Sequence, residues 1–453
     1  MSEHWRRIGR LAVPMAAAQT LAVMVPVVIV AMMGWMGTEA IQVRALYMPL
    51  AFLFFAVQIA FDIASQTISA LRSGRGEPDA MATMLSLALV WAVAGLVLAG
   101  GLIVAAPALA NVLGAAPEIA DDFVTFLRWM SIANLTLAWP VLCTSTLRGM
   151  GRAGTGATIM ITGIAVEIAG LSVLGFGLDL GISALPLATA LNGVVAGAFG
   201  MVMLGRAGLL QGRGWRPEVL GVLLRTGIPV SLTNLVMFGL NFVFVMMLKP
   251  FGPNVIAGFG TAVTLQNLII MPAVVLGSAT AIVMNQRRGA DERIPLLPVL
   301  RAALWMSLAV YLVIVPAVWL LRGVIGGLTA ENEQIAGETA HYIAIVGPSY
   351  LVLCLVLTSL VALEQIGGAL LALTGTAIYV LGSVGIAAVA GRGADDPAPV
   401  YGAMSGMNAA GVVAVVAALV FVRLRDYRMR ASPKHRRRRA PPIRDGKTRS
   451  VTG

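Results

Sequence analysis

The chain has 453 residues, of which 58% are hydrophobic and only 12% are charged, and its mean hydropathy is +0.87. Soluble globular proteins carry about 25% charged residues, so the composition excludes that class and indicates an integral membrane protein. The net charge of +11 does not indicate a nucleic-acid-binding protein, because twelve Lys or Arg residues and two acids fall within the last segment, Arg423 to Gly453.

Hydropathy windows of about 19 residues predict twelve membrane spans. They lie at 11–34, 46–71, 81–106, 121–145, 156–178, 182–205, 223–248, 255–284, 296–321, 339–362, 367–390 and 400–422. We therefore predict an all-α polytopic membrane protein with four parts. These are a six-helix N-terminal lobe (1–205), a cytoplasmic linker (206–222), a six-helix C-terminal lobe (223–424) and a basic, disordered tail (425–453).

Lys and Arg are distributed unequally between the two membrane faces. Twenty-seven lie on the face that carries both termini, whereas the other face has only Arg44, Lys249, Arg322 and Arg392. Positive residues accumulate on the cytoplasmic side, so both termini are predicted to be cytoplasmic. We interpret the basic tail as a topology signal that rests against anionic lipid. The first apolar run lacks a convincing cleavage site and is predicted to be a span, not a signal peptide.

The two halves of the chain are related by an internal repeat. Arg10, Pro14 and Gly37 align with residues 225, 229 and 252 at an offset of 215, and Ser65 aligns with residue 278 at an offset of 213. In the later spans Asn192 aligns with residue 408 at an offset of 216. Each half begins on the same side of the membrane, so the repeat is parallel, with a pseudo-twofold axis along the membrane normal. This architecture suits alternating access, in which two lobes rock around a central cavity.

Several segments, taken in their order and duplication, resemble the multidrug and toxic compound extrusion (MATE) family. The segments are AVP (Ala12–Pro14), GIP (Gly227–Pro229), GWMG (Gly34–Gly37), AFDIASQTISALRSGRG in the second span, FLRW (Phe126–Trp129) with LRGMGRAG (Leu147–Gly154), and GISALPLATALNG (Gly181–Gly193). The resemblance covers about 400 residues, nearly everything but the tail. It implies a twelve-helix, two-lobed exporter that uses a proton or sodium gradient to expel organic, often cationic, solutes.

The chain departs from the family pattern at positions that bear on ion coupling. Many members carry an Asp in the first span where this chain has Ile29, and the sodium-coupled branch commonly has acids in the seventh and tenth spans. Here the seventh span has no acid, and the tenth is uncharged until Glu364 at its cytoplasmic end. In the fifth span Glu167 stands where the family tends to have the second of two asparagines. The family's coupling residues therefore cannot be transferred directly.

Two acids lie well within predicted spans, Asp62 and Glu167. Gln58, Asp62 and Gln66 fall, with Ser65 and Ser69, at helical intervals of three and four residues, so they form one polar stripe. A charged carboxylate near mid-span costs roughly 2.5–3.5 kcal/mol on insertion scales, so such residues line a cavity or pair inside a bundle. Neither acid has an acidic counterpart in the other half, where the offsets give Val275 and Ser383.

We therefore hypothesise that Asp62 and Glu167 form a proton site in the N-terminal lobe, whose protonation lets the lobe repack and eject substrate. The alternative is structural: Asp62 would then satisfy neighbouring amides or hydroxyls, and Glu167 would have a similar role. Gln58, Gln66, Asn192, Asn234, Asn241 and Asn408 are predicted to line the substrate path, although interhelical hydrogen bonding explains such residues equally well. Pro26 is predicted to kink the first span, as a hinge or as a packing bend.

We expect a monomeric secondary active exporter of amphipathic or cationic organic compounds, a multi-pass protein of a bacterial plasma membrane. Antiport of H⁺ is favoured over antiport of Na⁺, and no other cofactor and no metal is expected. The sequence has no phosphate-binding loop, metal-binding His cluster or nucleophile motif, so neither an ATP-driven transporter nor an enzyme is predicted. Cys143 and Cys354 are interpreted as buried thiols. Two alternatives remain: a flippase for lipid-linked precursors from the same superfamily, and a membrane scaffold without transport.

Overall fold

The computed structural model describes residues 2–77, 80–212, 214–291, 294–329 and 332–431, and all regular secondary structure in these ranges is helical. Most of the predicted basic tail, residues 432–453, lies outside the described residues. Cys143 and Cys354 are both free and buried, which confirms the prediction for the two thiols.

Seven α-helices form the N-terminal half in the described ranges. They are α1 Ser2–Met36, α2 Thr38–Gly74, α3 Met81–Val112, α4 Pro117–Thr136, α5 Ala138–Gly149, α6 Ala153–Ser172 and α7 Ala184–Arg206. A π-helical turn at Val173–Gly177 continues α6, and a 3-10 turn at Gly181–Ser183 precedes α7. The short helix α8, Glu218–Val222, and a π-helical turn, Leu223–Gly227, then lead into the second half.

The C-terminal half repeats this arrangement with nine described α-helices. They are α9 Ile228–Leu248, α10 Pro253–Ala290, α11 Leu297–Leu320, α12 Arg322–Thr329, α13 Glu333–Val346, α14 Tyr350–Leu363, α15 Ala369–Ala390, α16 Ala398–Ala410 and α17 Val412–Ala431. Two 3-10 turns, Lys249–Phe251 and Gly347–Ser349, and one π-helical turn, Glu364–Gly368, connect some of them.

Eleven of the described helical stretches are long and apolar enough to cross a membrane. One of them, Glu333–Ala390, is 58 residues long and contains the predicted spans 339–362 and 367–390. The chain kinks between these two spans at Gly367, whose φ of +104° is a conformation that glycine adopts without a steric penalty. Every predicted span therefore coincides with helix, and the prediction of an all-α fold with twelve spans is confirmed.

The first helix runs unbroken through both of its prolines. α1 contains Pro14 and Pro26, and each proline removes one backbone hydrogen bond from the helix interior. The helical assignment continues on both sides of Pro26, so the chain is not interrupted there. The role of Pro26 as a hinge stays a prediction.

Buried apolar residues form one core within each lobe and a further core between the lobes. One set of buried residues, which includes Tyr47 and Phe123, lies wholly in the N-terminal half, and another, which includes Phe259 and Tyr342, lies wholly in the C-terminal half. A third set combines Ile8 and other residues of α1 and α2 with residues of α10, α11, α14 and α17. The lobes thus meet mainly where α1 and α2 contact α9 and α10.

The linker packs against the N-terminal lobe. Arg72, near the end of α2, is buried and forms ion pairs with Glu77 at 3.3 Å and with Glu218 of α8 at 3.6 Å. Val219 and Leu223 join a buried apolar set that otherwise belongs to the N-terminal lobe. The end of the predicted linker is therefore attached to the lobe that precedes it.

Backbone meets backbone where α2 and α10 end. A Cβ atom on Gly74 would overlap the carbonyl oxygen of Gln286, and one on Gly289 would overlap the carbonyl oxygen of Leu71. Gln286 Nε2 also donates to the carbonyl oxygen of Gly149 at 2.9 Å. We refer to this contact of Leu71, Gly74, Gly149, Gln286 and Gly289 as the seam. The seam brings the two lobes together at the C-terminal ends of α2, α5 and α10, each of which is followed by a loop that contains Arg.

We expect Gly74→Ala to lower the free energy of unfolding by about 1–3 kcal/mol, because the added methyl group would overlap backbone that cannot move aside. The control is Gly100→Ala in α3, where no heavy atom lies within 4 Å of the new Cβ. That control should be neutral, or stabilising by up to about 1 kcal/mol through helix propensity. Thermal unfolding of both variants in detergent measures the difference, and equal midpoints would contradict the proposed steric role of Gly74.

Candidate functional site

Asp62 of α2 forms an ion pair with Arg148 of α5. Arg148 Nη2 donates to Asp62 Oδ1. The side chain of Asp62 is only 24% exposed, and that of Arg148 is only 7% exposed. One turn further along α2, Ser65 Oγ lies 3.1 Å from Thr146 Oγ1. The carboxylate and the guanidinium carry opposite charges, so each group neutralises the other inside the lobe.

Close helix packing brings Arg148 to Asp62. α5 ends at Gly149, and a Cβ there would overlap the carbonyl oxygen of Gln66 and would lie 2.7 Å from Ser69 Cβ. Only glycine allows the two backbones to approach so closely, and the preceding residue then points across to α2. The sequence LRGMG therefore positions a cation beside the intramembrane acid.

Gln66 connects the two lobes. Its Nε2 donates to Ser278 Oγ at 2.9 Å and to Gln365 Oε1 at 2.8 Å, and both acceptors belong to the C-terminal half. The residue is only 1% exposed. In this conformation Gln66 is enclosed between the lobes, next to the seam, so it could reach a substrate only after the lobes separate here. Its place in the substrate path stays a prediction.

Glu167 of α6 has a separate set of partners. Its Oε1 accepts a hydrogen bond from Thr189 Oγ1 at 2.9 Å, and its Oε2 accepts one from Asn192 Nδ2 at 3.0 Å, both from α7. A Cβ on Gly163, one turn before Glu167, would overlap Asn192 Oδ1, so the glycine leaves room for this amide. Glu167 is half-buried and is held by neutral donors.

Arg44 belongs to the surroundings of Glu167. It is half-buried near the start of α2, its guanidinium carbon lies 5.8 Å from the centre of the Tyr47 ring, and it interacts electrostatically with Glu167. Asn134 Nδ2 of α4 in turn donates to Tyr47 Oη at 3.0 Å. Eighteen residues separate Arg44 from Asp62, which is roughly 27 Å of helix at 1.5 Å per residue. Glu167 therefore lies toward the opposite end of α2 from the seam.

The two predicted coupling acids have different partners. The structure gives Asp62 a charged partner on α5 and Glu167 two neutral partners on α7, and no hydrogen bond or ion pair joins the two acids to each other in the described part of the chain. A single site formed by both acids, and the coupling role of each, stay predictions.

The remaining residues of the predicted substrate path differ in their surroundings. Gln58 and Asn241 are half-buried, whereas Asn234 is exposed and donates to the carbonyl oxygen of Val230 in its own helix at 2.9 Å. Asn408 is buried: it accepts from Tyr379 Oη at 2.8 Å and donates to Ser349 Oγ at 2.9 Å. Asn408 thus makes interhelical hydrogen bonds, which the sequence analysis gave as the alternative to a place in the substrate path. A role of Gln58, Asn234, Asn241 and Asn408 in the substrate path stays a prediction.

An open apolar cleft of about 620 Å³ lies beside α1. Its lining residues are Val27, Val28, Ala31, Met32, Trp35, Ser172 and Phe176. Trp35 and Phe176 have ring centres 6.4 Å apart at its edge. The cleft is large enough for a small organic molecule and has one hydroxyl group, that of Ser172, among apolar side chains.

Sequence reasoning missed two cations of these clusters. The predicted span 121–145 ends before Arg148, whereas α5 continues to Gly149. The predicted span 46–71 begins after Arg44, whereas α2 already begins at Thr38. The available signal was the pair of intramembrane acids, because a buried acid in an apolar lobe requires a partner. The arginines nearest to these acids along the chain are Arg72 and Arg152, so this signal does not single out Arg148 or Arg44.

Two related helical halves that enclose polar clusters define a two-lobed, polytopic membrane transporter. The chain matches the MatE family at residues 14–173 and again at residues 229–390, one match for each half. It therefore belongs to the MATE family of multidrug and toxic compound extrusion transporters, and the resemblance seen in the sequence is confirmed.

Individual relatives agree with this assignment. The chain is 24% identical over 318 residues to the probable multidrug resistance protein YoeA of Bacillus subtilis, an alignment that covers 67% of this chain and 68% of YoeA. The fold superimposes on a mutant of the Vibrio cholerae MATE transporter VcmN with a TM-score of 0.88 and 16% identity, covering 94% and 99% of the two chains. A MOP superfamily transporter from Pyrococcus furiosus gives a TM-score of 0.84 at 19% identity, covering 95% and 97%.

The ion pair of Asp62 and Arg148 can be tested by a double-mutant cycle. Asp62→Asn and Arg148→Gln should each lower the free energy of unfolding by about 3–5 kcal/mol, because each leaves one buried charge without its partner. The double variant should lose clearly less than the sum of the two single losses. Thermal or denaturant unfolding in detergent provides the measurement, and strictly additive losses would show that the two groups do not interact.

Proposed function

We propose that the protein is a secondary active exporter of amphipathic or cationic organic compounds, driven by antiport of H⁺. The observation that carries the proposal is the Glu167 carboxylate, held inside a span by two neutral donors. A transporter coupled to protons needs an enclosed group that can exist in both the charged and the neutral form. The hydroxyl of Thr189 can donate to a carboxylate or accept from a carboxylic acid, so this cluster suits both forms.

Asp62 has the complementary role in the proposal. While Asp62 is ionised it holds Arg148, and a proton on Asp62 would remove the partner of that buried guanidinium. Proton binding would therefore loosen the contact between α2 and α5, directly beside Gln66 and the seam. In this mechanism the proton reaches the Glu167 cluster from outside and is transferred onward to Asp62 while substrate leaves.

The arrangement of the lobes supports alternating access. Gln66 and Gln286 join the lobes at the end of α2 and α10 that the distribution of Lys and Arg places in the cytoplasm. In the proposed cycle this conformation is closed to the cytoplasm. Separation of the lobes at the seam would open the opposite state.

Substrate class, topology and assembly belong to the same proposal. The apolar cleft beside α1 suits a largely hydrophobic solute, and the name of the Bacillus subtilis relative indicates a probable role in multidrug resistance. We propose a monomer in a bacterial plasma membrane with both termini in the cytoplasm and the basic tail against anionic lipid. Gln58, Asn192, Asn234 and Asn241 are proposed to line the substrate path.

Two alternative functions make different predictions. A flippase of the same superfamily would be expected to present a strongly cationic central cavity, and the cleft beside α1 is lined by apolar residues and one serine. The MOP superfamily transporter from Pyrococcus furiosus, in which the reverse polarity of the binding pocket suggests a different function, has the same fold as this chain. A scaffold without transport would show no solute flux under any gradient.

Efflux in inverted membrane vesicles tests the proposal directly. With pH and sodium gradients imposed separately, we expect uptake of a cationic dye into the vesicles to follow the pH gradient and to stop when it is dissipated. Uptake that follows only the sodium gradient would replace H⁺ by Na⁺ as the coupling ion. Vesicles that move no dye or drug under either gradient, but move a fluorescent lipid-linked precursor, would favour the flippase.

Substitutions of the two acids separate coupling from structure. Glu167→Gln should reduce pH-driven efflux at least about tenfold, as expected for loss of an essential proton-transfer group, and Asp122→Asn, an exposed acid-to-amide change, should leave it unchanged. Asp62→Asn should also abolish efflux. If Asp62 serves only to neutralise Arg148, the double variant with Arg148→Gln will regain activity, whereas if Asp62 carries the proton, it will remain inactive. Restored efflux in the double variant would contradict the role proposed for Asp62.

A further inference from the structure

Glu364 is a buried carboxylate that the proposed mechanism does not use. The residue is only 5% exposed. In the described part of the chain its carboxylate makes no hydrogen bond and no ion pair, in contrast to Asp62 and Glu167. Burial without a partner strongly disfavours the charged form of an acid. Such a group, enclosed in a transporter, is a candidate functional residue.

Glu364 lies beside the contact between the two lobes. It begins the π-helical turn Glu364–Gly368, which packs against α2 of the other lobe, against the turn Leu223–Gly227, and against α10, α14 and α15. Its neighbour Gln365 is the residue that accepts the hydrogen bond from Gln66 across the lobe boundary. The carboxylate is thus one residue away from a bond that must break when the lobes separate here.

The internal repeat shows how unusual this environment is. At the offset of 216, Glu364 corresponds to Arg148, and at the offset of 213, Val275 corresponds to Asp62. Where the N-terminal lobe has an ion pair, the C-terminal lobe therefore has an acid and a buried valine. If Glu364 had only a structural role, we would expect it to keep a partner that neutralises its charge.

The charged groups that surround Glu364 are occupied elsewhere. Arg288 of α10 and Arg425 of α17 both donate to the carbonyl oxygen of Ile366, at 3.2 and 2.6 Å. Arg225, on the packed π-helical turn, is exposed, and on α2 the nearest acid, Asp62, binds Arg148. Arg72 of α2 pairs with Glu77 and with Glu218 of α8, and Arg287 of α10 contacts His4. α14 and α15 carry no Asp, Glu, Lys, Arg or His; their titratable groups are Tyr350, Cys354 and Tyr379.

We propose that Glu364 is a proton-binding residue that controls opening of the seam. With a proton bound, the neutral side chain is compatible with the closed, dry contact between the lobes. Loss of the proton to the cytoplasm creates a charge that requires water, and this favours separation of the lobes next to Gln365. The inference rests on the proposed function only for alternating access, and it adds a site for release of the coupled proton in the C-terminal lobe.

The sign of the pH dependence follows from this assignment. The closed state binds one more proton than the open state, so acid favours the closed state and base favours the open state. A single coupled proton changes the opening equilibrium by at most about tenfold per pH unit. In Glu364→Gln the side chain stays neutral, so the equilibrium should remain closed at every pH. In Glu364→Asp the carboxylate is retained, and so should be the pH dependence.

Thiol labelling of a residue between the lobes measures this opening. Ser278→Cys places a reporter at the acceptor of the Gln66 hydrogen bond, and the native Cys143 and Cys354 are buried, so the parent protein gives the background. Purified protein in lipid nanodiscs is treated with a membrane-impermeant maleimide between pH 6 and pH 9. The labelling rate of Ser278→Cys is divided by the labelling rate of the same variant that also carries Glu364→Gln. Because both proteins contain the same reporter thiol, the ionisation of that thiol cancels in the ratio. We expect this ratio to rise several-fold with pH.

Identical pH profiles for Glu364 and Glu364→Gln would overturn the inference, and so would a profile for Glu364→Asp that matches the Gln variant. If the Gln variant does not fold, judged by gel filtration and thermal unfolding, the Asp variant decides: its profile must still rise with pH relative to Ser278→Cys in protein denatured with detergent. The assay contains neither substrate nor gradient. If labelling depends on pH but the protein exports nothing, the role of Glu364 is supported and the proposed export function is contradicted. If the protein exports a substrate but labelling does not depend on pH, the export function is supported and the role of Glu364 is contradicted.

Discussion

Every charge that this protein keeps inside the hydrocarbon region must be neutralised or solvated by the protein itself, and this constraint explains most of its polar architecture. The ion pair of Asp62 and Arg148 satisfies it with opposite charges, and the hydrogen bonds of Glu167 satisfy it with neutral donors. Helix packing at Gly149 and Gly163 makes both solutions possible, because a side chain at position 149 would overlap the backbone of α2 and a side chain at position 163 would overlap the amide of Asn192. The glycines in these helices therefore allow close helix packing and also leave room for the polar groups that neutralise buried charges.

The two halves share a helical plan, but their polar residues have diverged. Asn192 and Asn408 occupy equivalent positions in the repeat, yet Asn192 binds Glu167, whereas Asn408 binds Tyr379 and Ser349. The counterpart of Glu167 is Ser383, a buried residue whose hydroxyl has no hydrogen-bond partner in the described structure. The shared helical plan therefore does not determine which polar partners a given position has in each lobe.

Hydropathy and the repeat were sufficient to predict the fold, because both depend on properties summed over whole spans. Apolar windows located every helix that crosses the membrane, but the windows are shorter than the helices: the span at α5 ends before Arg148, and the span at α2 begins after Arg44. The polar stripe of Gln58, Asp62 and Gln66 was recognised from its spacing. Its partners could not be, because Arg148 and Gln365 are 86 and 299 residues away from Asp62 and Gln66. Long-range pairing of single side chains leaves no periodic signal in one sequence.

The contrast between Gln66 and Asp62 is the clearest case of this limit. The two residues lie one turn apart on the same stripe and share a polar character, yet Gln66 joins the lobes whereas Asp62 pairs within its own lobe. A rocking motion that separates the lobes must break the bonds of Gln66, while it leaves the ion pair of Asp62 intact. Because the two sets of contacts meet on adjacent turns of α2, a change in the charge of Asp62 acts on the same stretch of helix that closes the seam. The polar face of one helix can in this way connect proton binding in the N-terminal lobe to contact with the C-terminal lobe.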